Sequence, residues 1–209
     1  MAQTGLAQPV TTKPSNAAGE FSVKFSPLAV ADIFDGNLSA GAEYRLSNKW
    51  SVNMEAGWIF YSLYAQRTRR TNGIILRPSI RLYLGQSELF FLELQGHYKY
   101  VSYDIKDTLF YDASGSTPAY GLDTTFKFNR KVLGFHFTGG IKVPLTNDRR
   151  LSMEFYLGLG MHYKWQTYFR HPKSVYRAED KNRIIRIHDM NGAGGIAFPA
   201  GIRFVYRIR

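Results

Sequence analysis

The sequence predicts an all-β fold, an eight-stranded antiparallel transmembrane β-barrel. Three observations lead there. Apolar side chains recur at every second residue from Phe21 to the C-terminus, the segments patterned this way are about ten residues long, and their connections alternate between short turns and long polar loops.

Taken in order, residues 1–20 are Thr-, Pro-, Ala- and Gly-rich and form a flexible leader with neither a basic n-region nor an apolar h-region. An exported chain with this start has already lost its signal peptide. The remainder, 21–209, is expected to be a single barrel domain. Its first strand sets Phe21, Val23 and Phe25 against Ser22, Lys24 and Ser26. The second, Leu38 to Leu46, and the third, Trp50 to Phe60, keep apolar residues at even positions and are joined by the tight turn Ser47-Asn48-Lys49. Leu76 to Leu84 and Phe90 to Tyr100 form the next pair, around Gly85-Gln86-Ser87. Leu133 to Val143 and Leu151 to Trp165 follow, around Thr146-Asn147-Asp148, and Ile196 to Ile208 closes the set. The stretches Ala65 to Gly73, Asp104 to Thr125 and Phe169 to Gly194 are expected as long loops.

Which face points inward follows from volume. The apolar face is bulky on every strand, whereas the other mixes Gly and Ser with full charges, so only the second fits inside about eight strands. A soluble lipocalin-type barrel would reverse this arrangement. Tyr44, Trp50, Tyr98, Tyr100, Tyr163, Trp165 and Tyr206 lie toward strand ends on the apolar face, the placement of interfacial aromatic girdles.

Composition removes other classes. The absence of Cys excludes disulfide scaffolds, thiolate zinc sites, cysteine nucleophiles and lipobox anchors. No apolar run approaches the length of a helical span. The net charge is +11, from 27 Lys and Arg against 16 Asp and Glu, but the cations recur in every segment and mark no nucleic-acid-binding element.

The runs Phe25-Ser26-Pro27-Leu28, Gly36-Asn37-Leu38-Ser39-Ala40-Gly41-Ala42-Glu43-Tyr44-Arg45-Leu46-Ser47 and Leu76-Arg77-Pro78-Ser79-Ile80-Arg81-Leu82-Tyr83-Leu84 resemble the small Bacteroidota outer-membrane barrels known only as a domain of unknown function. That family is similar in architecture to the eight-stranded OmpA and OmpX type. The resemblance implies fold and location, the outer membrane with its lipopolysaccharide, and no chemistry.

Projected inward, Glu43, Glu55, Glu93 and Glu154 share the lumen with Lys24, Arg45, Arg77, Arg81, Lys99, Lys142, Lys164, Arg203 and Arg207, nine cations against four carboxylates. An ion-pair network filling the lumen is expected, with the surplus cations meeting water, Tyr hydroxyls or an anion. His97, His136 and His162 fall on the same face, but at differing heights and without ligand spacing, so no metal is expected. Ser102 or Ser174 with His171 would be the partners of a lipid-modifying enzyme, yet no spacing fixes a triad. Catalytic residues and cofactors are therefore expected to be none. Arg67, Arg69, Arg70, Lys127, Arg130, Lys131, Arg170, Lys173 and Arg177, with Lys181, Arg183 and Arg186 beyond them, are expected to form a basic outer rim facing outer-membrane lipid and glycolipid. The functional expectation is a non-enzymatic structural or scaffold barrel, an accessory subunit or anchor beside other outer-membrane proteins. A lipid A-modifying enzyme and a narrow anion pore are the alternatives.

Overall fold

The computed structural model describes residues 18–27, 35–62, 68–85, 88–111, 120–168, 174–176 and 194–208. Their elements are β1 (Phe21–Ser26), β2 (Asn37–Arg45), β3 (Trp50–Ile59), β4 (Thr68–Leu84), β5 (Phe90–Tyr111), β6 (Tyr120–Pro144), β7 (Leu151–Tyr168), β8 (Ser174–Tyr176), β9 (Gly194–Ala197) and β10 (Ala200–Arg207). Every pairing is antiparallel. Because β10 bonds to both β1 and β7, β1 through β7 and β10 close into a ring of eight strands.

The final expected strand is split in two by chemistry and not by geometry. Pro199 has no N–H to donate, so the ladder lapses at Phe198-Pro199. The register on both sides is the same, Gly160 opposite Ala197 and Leu157 opposite Ala200. That continuity allows the stagger of the ring to be read directly. Stepping from Arg207 to Ser22, Glu43, Asn53, Ser79, Gln95, His136, Gly160 and Ala197 returns to the same strand ten residues from the start (207 − 197). With ordinary strand spacing and rise, a ten-residue stagger over eight strands tilts each strand by about 40°.

Two expected loops are shorter than their sequences suggested. β4 begins at Thr68, inside the stretch Ala65 to Gly73, while β5 and β6 extend to Tyr111 and back from Tyr120, taking up most of Asp104 to Thr125. β7 runs past its expected end at Trp165 to Tyr168, just short of the expected loop Phe169 to Gly194. The physical reason is an inversion of polarity. Up to Tyr100 the even residues of β5 are the apolar ones, but beyond it the apolar residues are Val101, Tyr103 and Ile105, and the even positions carry Ser102, Asp104 and Lys106. The backbone keeps its period of two while the apolar face moves from outside to inside. β5 and β6 thus rise past the ring as a two-stranded ribbon, joined at Leu109 to Tyr111 by β8. Arg70, at the register shift between Arg69 and Asn72, has a positive φ of 49°, as a bulge residue can.

The expected leader is attached at its end: the Gly19 N–H donates to Arg45 O at 2.8 Å and the Arg45 N–H to Glu20 O at 3.0 Å. Residues 1–17 lie outside the described residues.

Large side chains fill the ring because glycines opposite them make room. A Cβ on Gly140 would lie 2.4 Å from the Phe91 ring and 2.5 Å from Phe155 O, and one on Gly201 would lie 2.6 Å from the Tyr156 hydroxyl. Toward the ribbon end the interior becomes apolar, with Ile59, Ile75, Val101, Tyr103, Ile105, Phe126 and Phe128 buried together.

Candidate functional site

The ring interior is the most highly organised polar region of the molecule. Its inward positions are those at which the strands carry charge: Glu43 on β2, Glu55 on β3, Arg77 and Arg81 on β4, Glu93 on β5, Glu154 on β7 and Arg203 on β10, with Lys24 on β1. Arg81 lies at the centre. It meets Glu93 at 2.6 Å, Glu154 at 2.6 Å and Glu43 at 3.5 Å, and its guanidinium rests 3.9 Å above the Phe91 ring. Arg203 bridges Glu55 and Glu93, both at 3.1 Å, and stacks 4.0 Å over Tyr156. Lys24 holds Glu43 at 2.8 Å, Arg77 holds Glu55 at 2.5 Å, and the Tyr83 hydroxyl donates to Glu43 at 2.5 Å. Four cations and four carboxylates thus form one connected, charge-balanced cluster.

Three of the surplus cations counted from the strands, Arg45, Lys99 and Arg207, find acids that strand parity does not reveal. Arg45 binds Glu88, in the β4–β5 connection, at 2.6 Å and stacks 3.8 Å over Tyr83, while Arg207 meets Glu20 at 3.2 Å. Lys142 is partly buried with its Nζ 5.7 Å from the Tyr83 ring centre, and Lys164 is buried on the inward face of β7.

A second cluster forms around Asp35, which lies just before β2. Its carboxylate pairs with Lys99 at 2.8 Å and with Arg130, and it accepts a hydrogen bond from the Ser62 hydroxyl at 2.7 Å. Burial opposes its charge, but Lys99, Arg130 and the hydrogen bonds from Lys99 and Ser62 prevail and hold the carboxyl below its ordinary range. Asp35 carries no sequence signal, since it belongs to a short connection and reaches its partners only through space.

Arg130 therefore departs from expectation: it is buried in this pair and is not a rim residue. Parity explains the difference, because Arg130 shares the inward face of β6 with Phe128 and His136. Its neighbours Lys127 and Lys131 are exposed, as are Arg69 and Arg70. Arg67, Arg170, Lys173, Arg177, Lys181, Arg183, Arg186 and His171 lie outside the described residues.

The histidines are closer in height than expected. His97 and His162 occupy one row on either side of Gly134, and the His136 ring packs against His97 with centroids 4.9 Å apart. His136 Nδ1 is also 3.4 Å from Gln95 Oε1. Among the described residues no three His, Asp or Glu side chains converge on a metal position. Ser102 stands on the outer face between Asn72 and Asn129, with no histidine in that row, and only the backbone of Ser174 is described.

Outside the ring, polarity is reversed. Leu38, Trp58, Ile80, Leu94, Phe135, Phe137, Leu157, Leu159, Ile196 and Phe198 are all exposed. Leu157 and Phe198 show 72% and 75% of their surface, whereas Arg81 and Glu154 show none.

No curated protein matches the chain. Residues 7–208 do match a family model described as a protein of unknown function, DUF3575, and the chain belongs to that family.

Proposed function

We propose that this protein is an outer-membrane β-barrel with a structural role, an anchor or accessory subunit within a larger outer-membrane assembly. The observation that carries the reading is the inside-out distribution of polarity: a ring of strands with a charge-balanced interior and an apolar exterior. Such a belt greatly exceeds the apolar patch that a monomeric soluble protein exposes. Along β2 it runs from Leu38 to Leu46, eight residues that at about 3.3 Å each and a tilt of about 40° make a band about 20 Å tall. That is close to the apolar height of outer-membrane barrels. Trp58 and Trp165 toward the ribbon end and Tyr44, Trp50 and Tyr206 toward the short-turn end occupy the two edges of the band.

An interior filled with paired side chains supports a structural barrel over a pore.

The test is folding from denaturant. The chain should acquire heat-modifiable gel mobility only when detergent micelles or lipid vesicles are present, and a monodisperse β-rich monomer in plain buffer would overturn the membrane reading. The scaffold role is checked by mild detergent extraction of the native host membrane with crosslinking, where a stoichiometric outer-membrane partner is expected. Recovery as an isolated chain would remove the scaffold role.

A further inference from the structure

On the outer wall of β4–β6 the apolar belt ends at a sharp boundary. The last apolar row contains Ile74, Tyr100 and Trp165, and Lys131 enters that row, its Nζ 6.0 Å from the Tyr100 ring centre. The next row is Asn72, Ser102 and Asn129, with Asn72 accepting a hydrogen bond from the Trp58 indole at 2.8 Å. Above it Arg69, Asp104 and Lys127 stand side by side, followed by Lys106. Within about three strand positions the wall passes from greasy to aromatic to amide to cationic, the sequence of environments met on leaving a bilayer core through its headgroups.

The charge is one-sided. Arg69, Arg70, Lys106, Lys127 and Lys131 are exposed here against Asp104 and Asp123, and Asp123 already accepts a hydrogen bond from Thr108 at 2.5 Å. Among the described residues no exposed cation lies at the corresponding ends of β1, β2, β3 or β7. A general solubilising rim would be spread around the ring. Among the described residues this one is confined to a single wall, and it begins at the aromatic girdle, where phosphate groups of a leaflet lie.

We propose that the β4–β6 wall binds the phosphates of anionic lipid headgroups, with Lys127 and Lys131 as the inner contacts and Arg69, Arg70 and Lys106 above them. This rests on the membrane-spanning reading. Lys131 meets the phosphate at the girdle, beside Tyr100, and Lys127 and Arg69 stand in the first charged row above it, on either side of Asp104. A basic residue near an anionic surface favours the charged lipid by about 1 kcal/mol, which corresponds to about a five-fold preference.

The experiment reads that preference directly. A chain carrying Trp50→Phe and Trp58→Phe keeps only Trp165, which pairs with Lys131 across β6 and β7. It is folded into phosphatidylcholine vesicles containing either brominated phosphatidylglycerol or brominated phosphatidylcholine, and indole quenching reports which lipid sits beside the wall. Quenching by the anionic lipid should exceed quenching by the zwitterionic one by about five-fold at low salt and fall as salt screens the charges. The preference should vanish with Lys127→Glu and Lys131→Glu, and with the milder pair Lys127→Gln and Lys131→Gln should that reversal impair folding. Equal quenching by the two lipids in a chain with normal heat-modifiable mobility overturns this proposal alone, as does a preference that survives both pairs. Failure to insert in either vesicle overturns the membrane reading and this proposal with it.

Discussion

Arg81 grips Glu154 with both guanidinium Nη atoms, at 2.6 and 2.9 Å, across the interior of the ring from β4 to β7. Glu154 stands directly opposite Arg203 and Lys142 in its own ladders, yet its oxygens turn to the strand three places away. Arg203 likewise turns from Glu154 to Glu55 and Glu93. These crossed pairs tie together strands that share no backbone bonds. The ion pairs therefore act as struts of the closed ring, where backbone ladders alone would fix only neighbours.

Removing one end of such a strut leaves the other charge buried and unmatched. Glu93→Ala strips a carboxylate from both Arg81 and Arg203, and truncation of a buried pair costs about 3–5 kcal/mol. The expected outcome is a clear fall in the urea midpoint of the protein folded in micelles. Glu55→Ala, which releases Arg77 and Arg203, should act in the same direction. Unchanged midpoints in both would mean that water solvates these carboxylates.

The glycine opposite Phe91 gives a second stability prediction. Gly140→Ala would place a methyl 2.4 Å from the Phe91 ring and 2.5 Å from Phe155 O, and overpacking of this kind costs about 1–3 kcal/mol. Because the second obstacle is backbone, adding Phe91→Ala should not restore the loss. Full recovery in the double variant would show that the ring alone sets the limit.

What could be read in advance follows from what each residue depends on. The outward row Leu38, Ala40, Ala42, Tyr44 and Leu46 and the inward pair Glu43 and Arg45 were legible because strand parity is a local property. Val101, Tyr103, Ile105, Phe126 and Phe128 were not, because beyond the girdle water lies outside and apolar side chains turn in, so an intact strand loses its expected phase. Arg130 was misplaced because it precedes the expected strand start at Leu133, although the parity of that strand, carried back three residues, turns it inward. Asp35, Glu88 and Glu20 lie off the strands, and their partnerships with Lys99, Arg45 and Arg207 arise only from closure of the ring. Which cation meets which carboxylate inside depends on the ten-residue stagger, a property of all eight strands together.

Asp35 predicts an acid-sensitive contribution to stability. Its carboxyl is held below the ordinary 3.8 in the folded chain. A depressed folded value means that the contribution is complete above the unfolded value and is lost as pH falls through the folded one. The stability difference between the unmodified protein and Asp35→Asn should therefore be full near neutrality and shrink below about pH 4. Denaturant titrations of both proteins across that range measure it, and a constant difference down to strong acid would assign the effect to lost packing.

Topology gives a prediction at the level of the cell. The ribbon end carries Arg69, and the short-turn end carries Asn48. In outer-membrane barrels the short turns face the periplasm. Cysteines placed at these two positions should differ toward an impermeant thiol reagent on intact cells, with labelling at Arg69→Cys and none at Asn48→Cys. The opposite result would invert the orientation.

The interior also predicts electrical silence. A ring of eight strands is only just wide enough to enclose side chains, and here it encloses long ones at successive levels. Arg45 with Glu88 lies toward the short-turn end, Arg81 and Arg203 with their carboxylates occupy the middle, and His97 and His136 pack above them. Lys99 and Arg130 on Asp35 come next, in the rows of Ile75 and Val101 where the buried apolar group begins, and that group continues through Tyr103, Ile105, Phe126 and Phe128. A hydrated ion would have to displace both a matched ionic layer and a dry one, and either barrier alone opposes passage. The purified protein in planar bilayers should show no steady conductance at moderate voltage. Glu93→Ala should lower its stability without opening a path, because the apolar layer does not depend on that carboxylate. Sustained currents from the unmodified protein would show that both layers open in the membrane and would establish the anion-pore reading in place of the structural one.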